Sequence, residues 1–316
     1  MEITGGNVKV KVIVNPMAAK GKAAKRWPEI EALLKRHVTA FDTAFTTGPA
    51  MATAMARDAL GQGYDVFVPV GGDGTANEVL NGIAADDRMI NPASALCAIP
   101  AGTANELCRS VGLLGDPEAP FRAVGSGRLH RLDMIRAECQ GLGGGAVLRY
   151  GYQATSFGLA AQISYKTSAS KYIKRLGGQF SYYYVTLFET LASKYQDFRI
   201  AIDTDPAIET SALTGLICNL EYGGGGMRLA PGASGVDGKL DLIMFNDIPR
   251  REILLQKPSW LFEGRHIEHP NVSRHGGRRF QVSSPKDALV DVDGETIGKL
   301  PLTVQILPGA LQVKVV

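Results

Sequence analysis

Asp65-Val66-Phe67-Val68-Pro69-Val70-Gly71-Gly72-Asp73-Gly74-Thr75-Ala76-Asn77-Glu78-Val79-Leu80 is a valine-rich run that stops at glycines and restarts with helix-forming residues. The run reads as a buried strand over residues 65–70, and the segment beyond the glycines as a helix over residues 75–84. A strand that turns through glycine into a helix leaves free backbone N–H groups at the helix start, where an anion is favoured. Glycine lets that backbone approach phosphate oxygens closely. Part of the motif recurs: Gly74-Thr75-Ala76-Asn77-Glu78 returns as Gly102-Thr103-Ala104-Asn105-Glu106. The second copy follows a strand predicted over residues 95–99 and opens a helix predicted over residues 103–111. Each copy carries Thr-x-x-Glu, in which the threonine caps a helix and the glutamate reaches back to the cap. Two such turns side by side would hold a di- or triphosphate. Asp73 alone would repel phosphate, and makes sense beside Mg2+, which bridges carboxylate and phosphate oxygens. One copy by itself reads as a capped Asp-Gly turn; the repeat and the Gly71-Gly72 lead-in favour phosphate. The loop is not of the Walker type, since no Gly-Lys-Ser/Thr follows, and Asn77 breaks the Gly-x-Gly-x-x-Gly pattern.

Upstream, residues 8–14 form a β-branched strand ending at Asn15-Pro16, and residues 22–36 have helical spacing with Ile30, Leu33 and Leu34 on one side. Residues 39–46 read as a strand and residues 50–60 as an Ala- and Met-rich helix. Strand–helix alternation at this pace predicts an α/β domain with a parallel sheet, helices on both faces, and ligands beyond the carboxyl ends of the strands. After about Leu132 the texture changes. Residues 198–202, 213–222, 240–245, 280–283, 288–293, 302–307 and 310–316 are strand-like and separated by Gly, Pro and Asp turns, which predicts a mainly antiparallel β-sandwich or barrel. A helical insert is expected over residues 165–195, and a weaker one over residues 250–262, interrupted by Pro258. The predicted organisation is a nucleotide-binding α/β domain over residues 1–133 and a β-rich domain over residues 134–316, with the last strand returning to the first domain as one arrangement.

A chain of 316 residues is comfortable for two domains. Its formal charge of +3 gives no basis for bulk nucleic-acid binding. The four cysteines, Cys97, Cys108, Cys139 and Cys218, form no C-x-x-C and no zinc spacing, and read as small buried hydrophobes in a reducing cytosol. Residues 1–11 contain no apolar signal region, and no run approaches the ~18 apolar residues of a membrane span. A soluble, cytoplasmic protein is expected, one that would visit the membrane surface, rather than live in it, if its substrate is a lipid.

Residues 70–79 resemble the signature of the diacylglycerol kinase catalytic-domain family, of the bacterial soluble lipid kinase type, which is related to sphingosine and ceramide kinases. The resemblance runs through nearly the whole chain. Asn15-Pro16 with Lys20-Gly21-Lys22 is similar to the family's first nucleotide loop, and Pro100-Ala101-Gly102-Thr103-Ala104-Asn105 to its second. Gly224-Gly225-Gly226-Met227-Arg228-Leu229-Ala230-Pro231 with Asp237-Gly238-Lys239-Leu240-Asp241 resembles its C-terminal signature, and Val292-Asp293-Gly294-Glu295 its catalytic turn. Gly-Gly-Asp-Gly-Thr is shared with NAD kinases and phosphofructokinases; the later blocks are specific to lipid kinases. The resemblance implies an NAD-kinase/phosphofructokinase-like α/β domain, a β-sandwich domain, and ATP-dependent phosphorylation of a lipid alcohol in an interdomain cleft with Mg2+. It implies ATP contacts at Asn15, Pro16, Met17, Ala18, Ala19, Thr46, Gly72, Asp73, Gly74, Thr75, Ala76, Asn77, Glu78 and Thr103. Asp73 falls where a carboxylate serves the catalytic Mg2+, with Asp133 in support. Ser234, Asp237 and Lys239 fall at a second, structural Mg2+ site made of two backbone carbonyls and the Asp237 carboxylate. Glu295 falls at the general base. Ala19 and Ala50 stand where the family usually has glycine, and Glu106 where it usually has aspartate.

Other residues are read more plainly. Asp293-Gly294 is a good hairpin turn, and by itself makes Glu295 a solvated strand end. Arg228 reads as a structural ion pair, and His266 and His269 as part of a polar loop. Lys166, Lys171, Lys174 and Arg175 interleave with aromatics up to Tyr184, which suits transient contact with an anionic membrane and equally suits a solvated helix face. A kinase of a soluble alcohol such as NAD, or an inactive nucleotide- or lipid-binding module, are the competing readings. The acceptor lipid and the oligomeric state, a homodimer included, are left open.

Overall fold

The computed structural model describes residues 8–169, 189–190, 192–249, 252 and 259–316. The chain splits into two compact units, Met1–Met134 with Leu307–Val316, and Ile135–Ile306.

The first unit runs β1 Val10–Val14, α1 Ala18–His37, β2 Asp42–Phe45, α2 Met51–Gly61, β3 Val66–Gly71, α3 Asp73–Ile83, β4 Ala84–Ala85, β5 Arg88–Met89, β6 Ala95–Leu96, β7 Ile99–Pro100, α4 Glu106–Ser110 and α5 Ala119–Ser126, followed by the start of β8 Arg128–Gln140. Strand β1 pairs in parallel with β2 and β3, and β3 in parallel with β6 and β7. The end of the last strand, β19 Glu295–Val315, joins in parallel through Val313 opposite Leu96. All six residues of β3 are buried, as expected of a parallel strand covered on both faces. Val12, Val14, Val68 and Val70 pack with Ile30 and Leu34 of α1 and Phe121 and Val124 of α5. The alternate residues Ile13 and Phe67 are also fully buried, on the opposite face, and α2 and α3 pack on each other and on β1 and β3.

The second unit takes up β8 and continues with β9 Ala146–Gly151, β10 Ala154–Gly158, α6 Leu159–Ala169, β11 Gln196–Ile202, β12 Ile208–Cys218, β13 Tyr222–Gly223, β14 Met227–Arg228, β15 Leu240–Asn246, α7 Ser259–Phe262, β16 Val272–Gly277, β17 Arg279–Ser283, β18 Leu289–Val292 and most of β19. Its strands are antiparallel, in the order β16-β15-β12-β10-β18-β19. Strand β19 also pairs with β17, β17 with β11, and β11 with β12, so these pairings close on themselves, while β15 and β16 extend from β12 and leave β16 at an edge. Phe157, Phe198 and Phe280 lie in the core, with Phe157 and Phe198 edge to face at 5.1 Å. The fold is an α/β unit with a parallel sheet and an antiparallel β-sandwich unit.

Several elements differ from their sequence reading. The strand expected over residues 95–99 is two short pairings, β6 and β7, either side of Cys97-Ala98. The helix expected from residue 103 starts only at Glu106, because Asn105 takes a left-handed conformation with φ 55°. Residues 302–307 and 310–316 belong to one strand that bends at Gly309, where φ is 60°. Strands β8, β9, β10 and β16 were not anticipated. The signal for β8 was present, since Leu132, Met134, Ala137 and Cys139 supply buried positions along it. The insert expected over residues 165–195, with the basic and aromatic residues from Lys171 to Tyr184, lies largely outside the described residues. So does most of the helix expected over residues 250–262. All four cysteines are buried and unpaired by disulfide, and burial pushes the Cys97 and Cys218 thiols up to about 12.

Candidate active site

In the first unit the two glycine turns touch. Ala101 N–H donates to the Gly71 carbonyl at 2.9 Å. A Cβ on Gly102 would lie 2.3 Å from Gly72 Cα and 2.9 Å from Gly72 N, so the two backbones approach as only glycine permits. A Cβ on Gly71 would meet Thr75 Oγ1 at 2.4 Å. The second turn is held by Asn105, whose Oδ1 accepts from Gly102 N–H at 3.0 Å and whose Nδ2 donates to the Gly102 carbonyl at 3.2 Å.

The reciprocal capping expected of Thr-x-x-Glu is absent from both copies. Helix α3 begins at Asp73, with extended Gly72 as its cap residue, so buried Thr75 lies inside the helix. Its Oγ1 accepts from Asn15 Nδ2 at 3.2 Å and ties the first loop to the glycine turn. The carboxylates cap other helices instead. Glu78 accepts from the N–H groups of Ala50 and Ala52, both at 3.0 Å, at the start of α2, and its carbonyl accepts from Thr53 Oγ1 at 2.9 Å. Asp73 Oδ1 accepts from the N–H groups of Glu106 at 2.7 Å and Leu107 at 3.3 Å, which makes it the cap of α4. The repeat is thus cross-linked: the acid of the first turn caps the helix of the second. Glu106 is 1% exposed and pairs with Arg109 at 3.1 Å.

The first loop follows β1. Asn15 Oδ1 accepts from Met17 N–H at 3.1 Å, and Ala18 N–H donates to the Asn15 carbonyl at 3.1 Å. Pro16 and Ala18 are half-buried and Met17 exposed. Ala19, Lys20 and Gly21 are all left-handed, with φ of 48°, 62° and 81°. Ala50, ahead of α2, is also left-handed, with φ 60°. Buried Thr46 donates its N–H to the Val14 carbonyl at 2.9 Å. Gly74 is half-buried, Ala76 and Asn77 are buried, and Asn77 Oδ1 accepts from Asn81 Nδ2 at 3.1 Å. Thr103 is exposed. Asp133 is 2% exposed, and its Oδ1 accepts from Gly309 N–H at 2.7 Å. The structure therefore joins Asn15, Thr75, Gly72 and Asp73 in one neighbourhood, and gives Glu78 to the start of α2.

In the second unit Asp293 and Gly294 make a two-residue hairpin between β18 and β19, with φ of 50° and 86°, both positive as a type I′ turn requires. Buried Asp293 accepts from the N–H groups of Tyr152 and Gln153 at 2.9 Å and of Ala154 at 3.1 Å. Glu295 is half-buried and paired with Arg149, so it is not a plain solvated strand end. The sequence reading gave no role to Arg149 or to Asp291. Asp291 was visible as a carboxylate at an alternate position of a valine strand; Arg149 carried no local signal.

The second-unit signature is also built on a carboxylate. Glu221 accepts from Arg228 Nε at 2.8 Å and from Gly232 N–H at 3.2 Å, so Arg228 forms an ion pair. His266 is fully buried, not in a plain loop: its Nε2 donates to the Leu229 carbonyl at 2.9 Å and its ring stacks on Phe245 at 5.6 Å. Burial lowers its pKa. Ser234 is half-buried, and Asp237 and Lys239 are exposed, with Asp237 Oδ1 accepting from Lys239 N–H at 3.0 Å. No group of three or more His, Cys, Asp or Glu gathers around a common point among the described residues. The Asp237 carboxylate and the peptide carbonyls of its exposed turn are hard oxygen donors of the kind Mg2+ takes while keeping several waters, so residues 234–239 fit that ion; at the first site the half-buried Asp73 carboxylate is a single donor of the same kind.

Residues 9–137 match the diacylglycerol kinase catalytic domain, and residues 153–315 match the YegS C-terminal NAD kinase beta sandwich-like domain. A diacylglycerol kinase of Staphylococcus saprophyticus is 32% identical over 93% of this chain and 90% of its own. One of Staphylococcus aureus is 30% identical over 93% and 88%. The crystal structure of a diacylglycerol kinase from Bacillus anthracis superposes with a TM-score of 0.69 at 20% identity, over 98% of this chain and 97% of that one. Yeast NADH kinase complexed with NADH superposes at 0.50 and 11% identity, over 99% and 84%, a likeness of fold alone. With both halves matched and near-full-length relatives at about a third identity, the chain is a kinase and belongs to the diacylglycerol kinase catalytic-domain family.

Proposed function

We propose that this protein transfers the γ-phosphoryl group of ATP to the hydroxyl of a diacylglycerol-like lipid. The observation that carries the reading is the backbone contact of Gly72 with Gly102, which sets two glycine turns against each other beside Asp73. Such paired turns suit a polyphosphate, whose oxygens need close backbone approach. Asn15, Pro16, Met17, Ala18, Ala19, Thr46, Gly72, Gly74, Thr75, Ala76, Asn77 and Thr103 surround or shape the donor. Glu78 acts one step back, by fixing the start of α2. Asp73, supported by Asp133, would hold Mg2+, and Ser234, Asp237 and Lys239 a second ion; the metal supplies neutralisation of phosphate charge. Glu295 takes the proton of the lipid hydroxyl as that oxygen bonds to the γ-phosphorus, and the bond to the bridging oxygen breaks to release ADP. Arg149 pairs with Glu295 and orients it for that proton. The transition state is loose, so positioning and electrostatics carry most of the rate. No helix among the described residues is long and apolar enough to cross a membrane, and a lipid acceptor would be met at a membrane surface.

The test is labelled ATP with a panel of lipids in mixed micelles, with NAD as the soluble control. Label in diacylglycerol or a related lipid, lost in Glu295→Gln while ATP binding persists, is the expected result. Label in NAD alone, or wild-type turnover in Glu295→Gln, would overturn the acceptor class or the base.

A further inference from the structure

Three carboxyls occupy alternate positions of one hairpin, Asp291, Asp293 and Glu295, and their surroundings differ. Asp293 accepts from three backbone N–H groups, bonds that favour the charged form of a carboxylate in general. Glu295 is paired with a guanidinium. Asp291 has neither support. Its Oδ1 accepts one N–H, from Gly294 at 3.0 Å; its buried Oδ2 has no hydrogen bond of ordinary geometry among the described residues, with the Ser164 hydroxyl near the carboxyl. Its cross-strand neighbours are Ser156 on β10 and Thr296 on β19, and Thr296 Oγ1 is likewise buried without a partner.

The charged groups around Asp291 leave it no cation among the described residues. Strand β10 has no titratable side chain. Strand β9 contributes Arg149, already paired with Glu295. Strand β19 contributes Glu295, and its Lys299 pairs with Asp287. Helix α6 contributes the Ser164 hydroxyl; its Tyr165 is exposed and its Lys166 pairs with Glu189. The turn itself contributes Asp293. An ionised Asp291 would be a buried negative charge near two others, which a bound proton removes. Burial pushes the Asp291 carboxyl up to about 7; the charges of Asp293 and Glu295 add to the rise, and the Gly294 N–H and Ser164 hydroxyl oppose it.

We propose, building on the reading of Glu295 as proton acceptor, that Asp291 is a positioning residue: it carries the proton this hairpin holds at neutral pH and so leaves Glu295 ionised in its bond to Arg149. The three acids divide one task between them, as neighbouring titratable groups do when their environments push their affinities apart. Loss of the Asp291 proton sets a third charge in the hairpin, displaces Glu295 and lowers turnover.

The decisive variant is Asp291→Asn, which keeps an acceptor for Gly294 N–H and cannot ionise. Two measurements on the full chain are made from about pH 4 to pH 9: urea unfolding, and kcat with labelled ATP and the micellar lipid that wild type turns over. The folded-state affinity for the proton is raised above that of the unfolded chain. Its contribution to stability is therefore complete below about pH 4 and is lost as pH rises through about 7. Wild type should lose stability over that window relative to the Asn variant. Its kcat should fall about tenfold per pH unit on an alkaline limb that moves up by at least about one unit in the variant. Parallel profiles overturn the proposal; a uniformly lowered kcat with an unmoved limb would show a merely structural role and overturn it too. Wild-type turnover in Glu295→Gln would sink the base assignment and leave the unfolding difference intact, so the two failures are distinct. Should no lipid be turned over, the unfolding profiles decide. Should the Asn variant not fold, proton uptake on folding of wild type between pH 4 and 7 decides, and its absence overturns the proposal.

Discussion

Asp73 carries two loads that substitution can separate. Its Oδ1 caps α4 through the N–H groups of Glu106 and Leu107, and its charge is proposed to serve the phosphates. Asparagine keeps the carbonyl acceptor and removes the charge; alanine removes both. Hydrogen bonds to a charged group contribute ~1.5–3 kcal/mol, about twice a neutral one. Asp73→Asn should therefore cost ~1 kcal/mol, and Asp73→Ala ~2–3 kcal/mol, because it strands two amides at the start of a helix. In a unit of this size that is a fall of roughly 2–4 °C in Tm for the first and about twice that for the second. Both variants should lose at least ~100-fold in turnover, since the charge acts on the transition state. Thermal unfolding and steady-state kinetics on the pair provide the check. Equal stability in the two variants would refute the cap, and near-normal turnover in the asparagine variant would refute the phosphate role.

Gly102→Ala places a Cβ 2.3 Å from Gly72 Cα; it should cost ~1–3 kcal/mol by overpacking and weaken ATP binding at least ~10-fold, measured by titration calorimetry. Ala19→Gly and Ala50→Gly remove left-handed alanines. Each should raise stability by ~0.5–1 kcal/mol in urea, as ~1–2 kcal/mol of strain relief exceeds the added unfolded-state entropy; a loss of ~1 kcal/mol, as for glycine in a helix, would contradict the left-handed backbone. Glu78→Ala should cost ~1–2 kcal/mol by uncapping α2, with Glu78→Gln losing less. The pKa of buried His266 is lowered, so its contribution to stability is present above about pH 6.5 and lost as pH falls below it. His266→Gln should flatten that acid slope in urea unfolding.

Much of the fold was legible because local chemistry and the final structure agree. The valine run into Gly71-Gly72 had to be a buried strand entering a helix, since nothing else satisfies its apolar residues and its breakers together. Asp293-Gly294 announced a hairpin because few other dipeptides accept two positive φ values. Strands β8 and β9 escaped because their buried positions are interleaved with charged residues, such as Arg136 and Glu138, which pair with each other; β10 escaped because it is only five residues long. The helix at residue 103 was wrong because a helix pattern cannot reveal that Asn105 will close on Gly102 instead.

What the sequence determined by itself was the strand–glycine–helix turn, its near-repeat, the change from alternating to all-β texture and the family. These rest on backbone preferences and on period, which are properties of neighbours along the chain. The partners of the acids were decided by tertiary structure alone. Asp73 caps a helix 33 residues away, Glu78 one 26 to 28 residues back, and Glu295 meets Arg149 across 146 residues. A carboxylate bonds to whichever N–H or cation the packed chain brings within reach, and spacing in sequence does not encode that encounter. The same holds for Asp291: only burial without a cation gives it the proton.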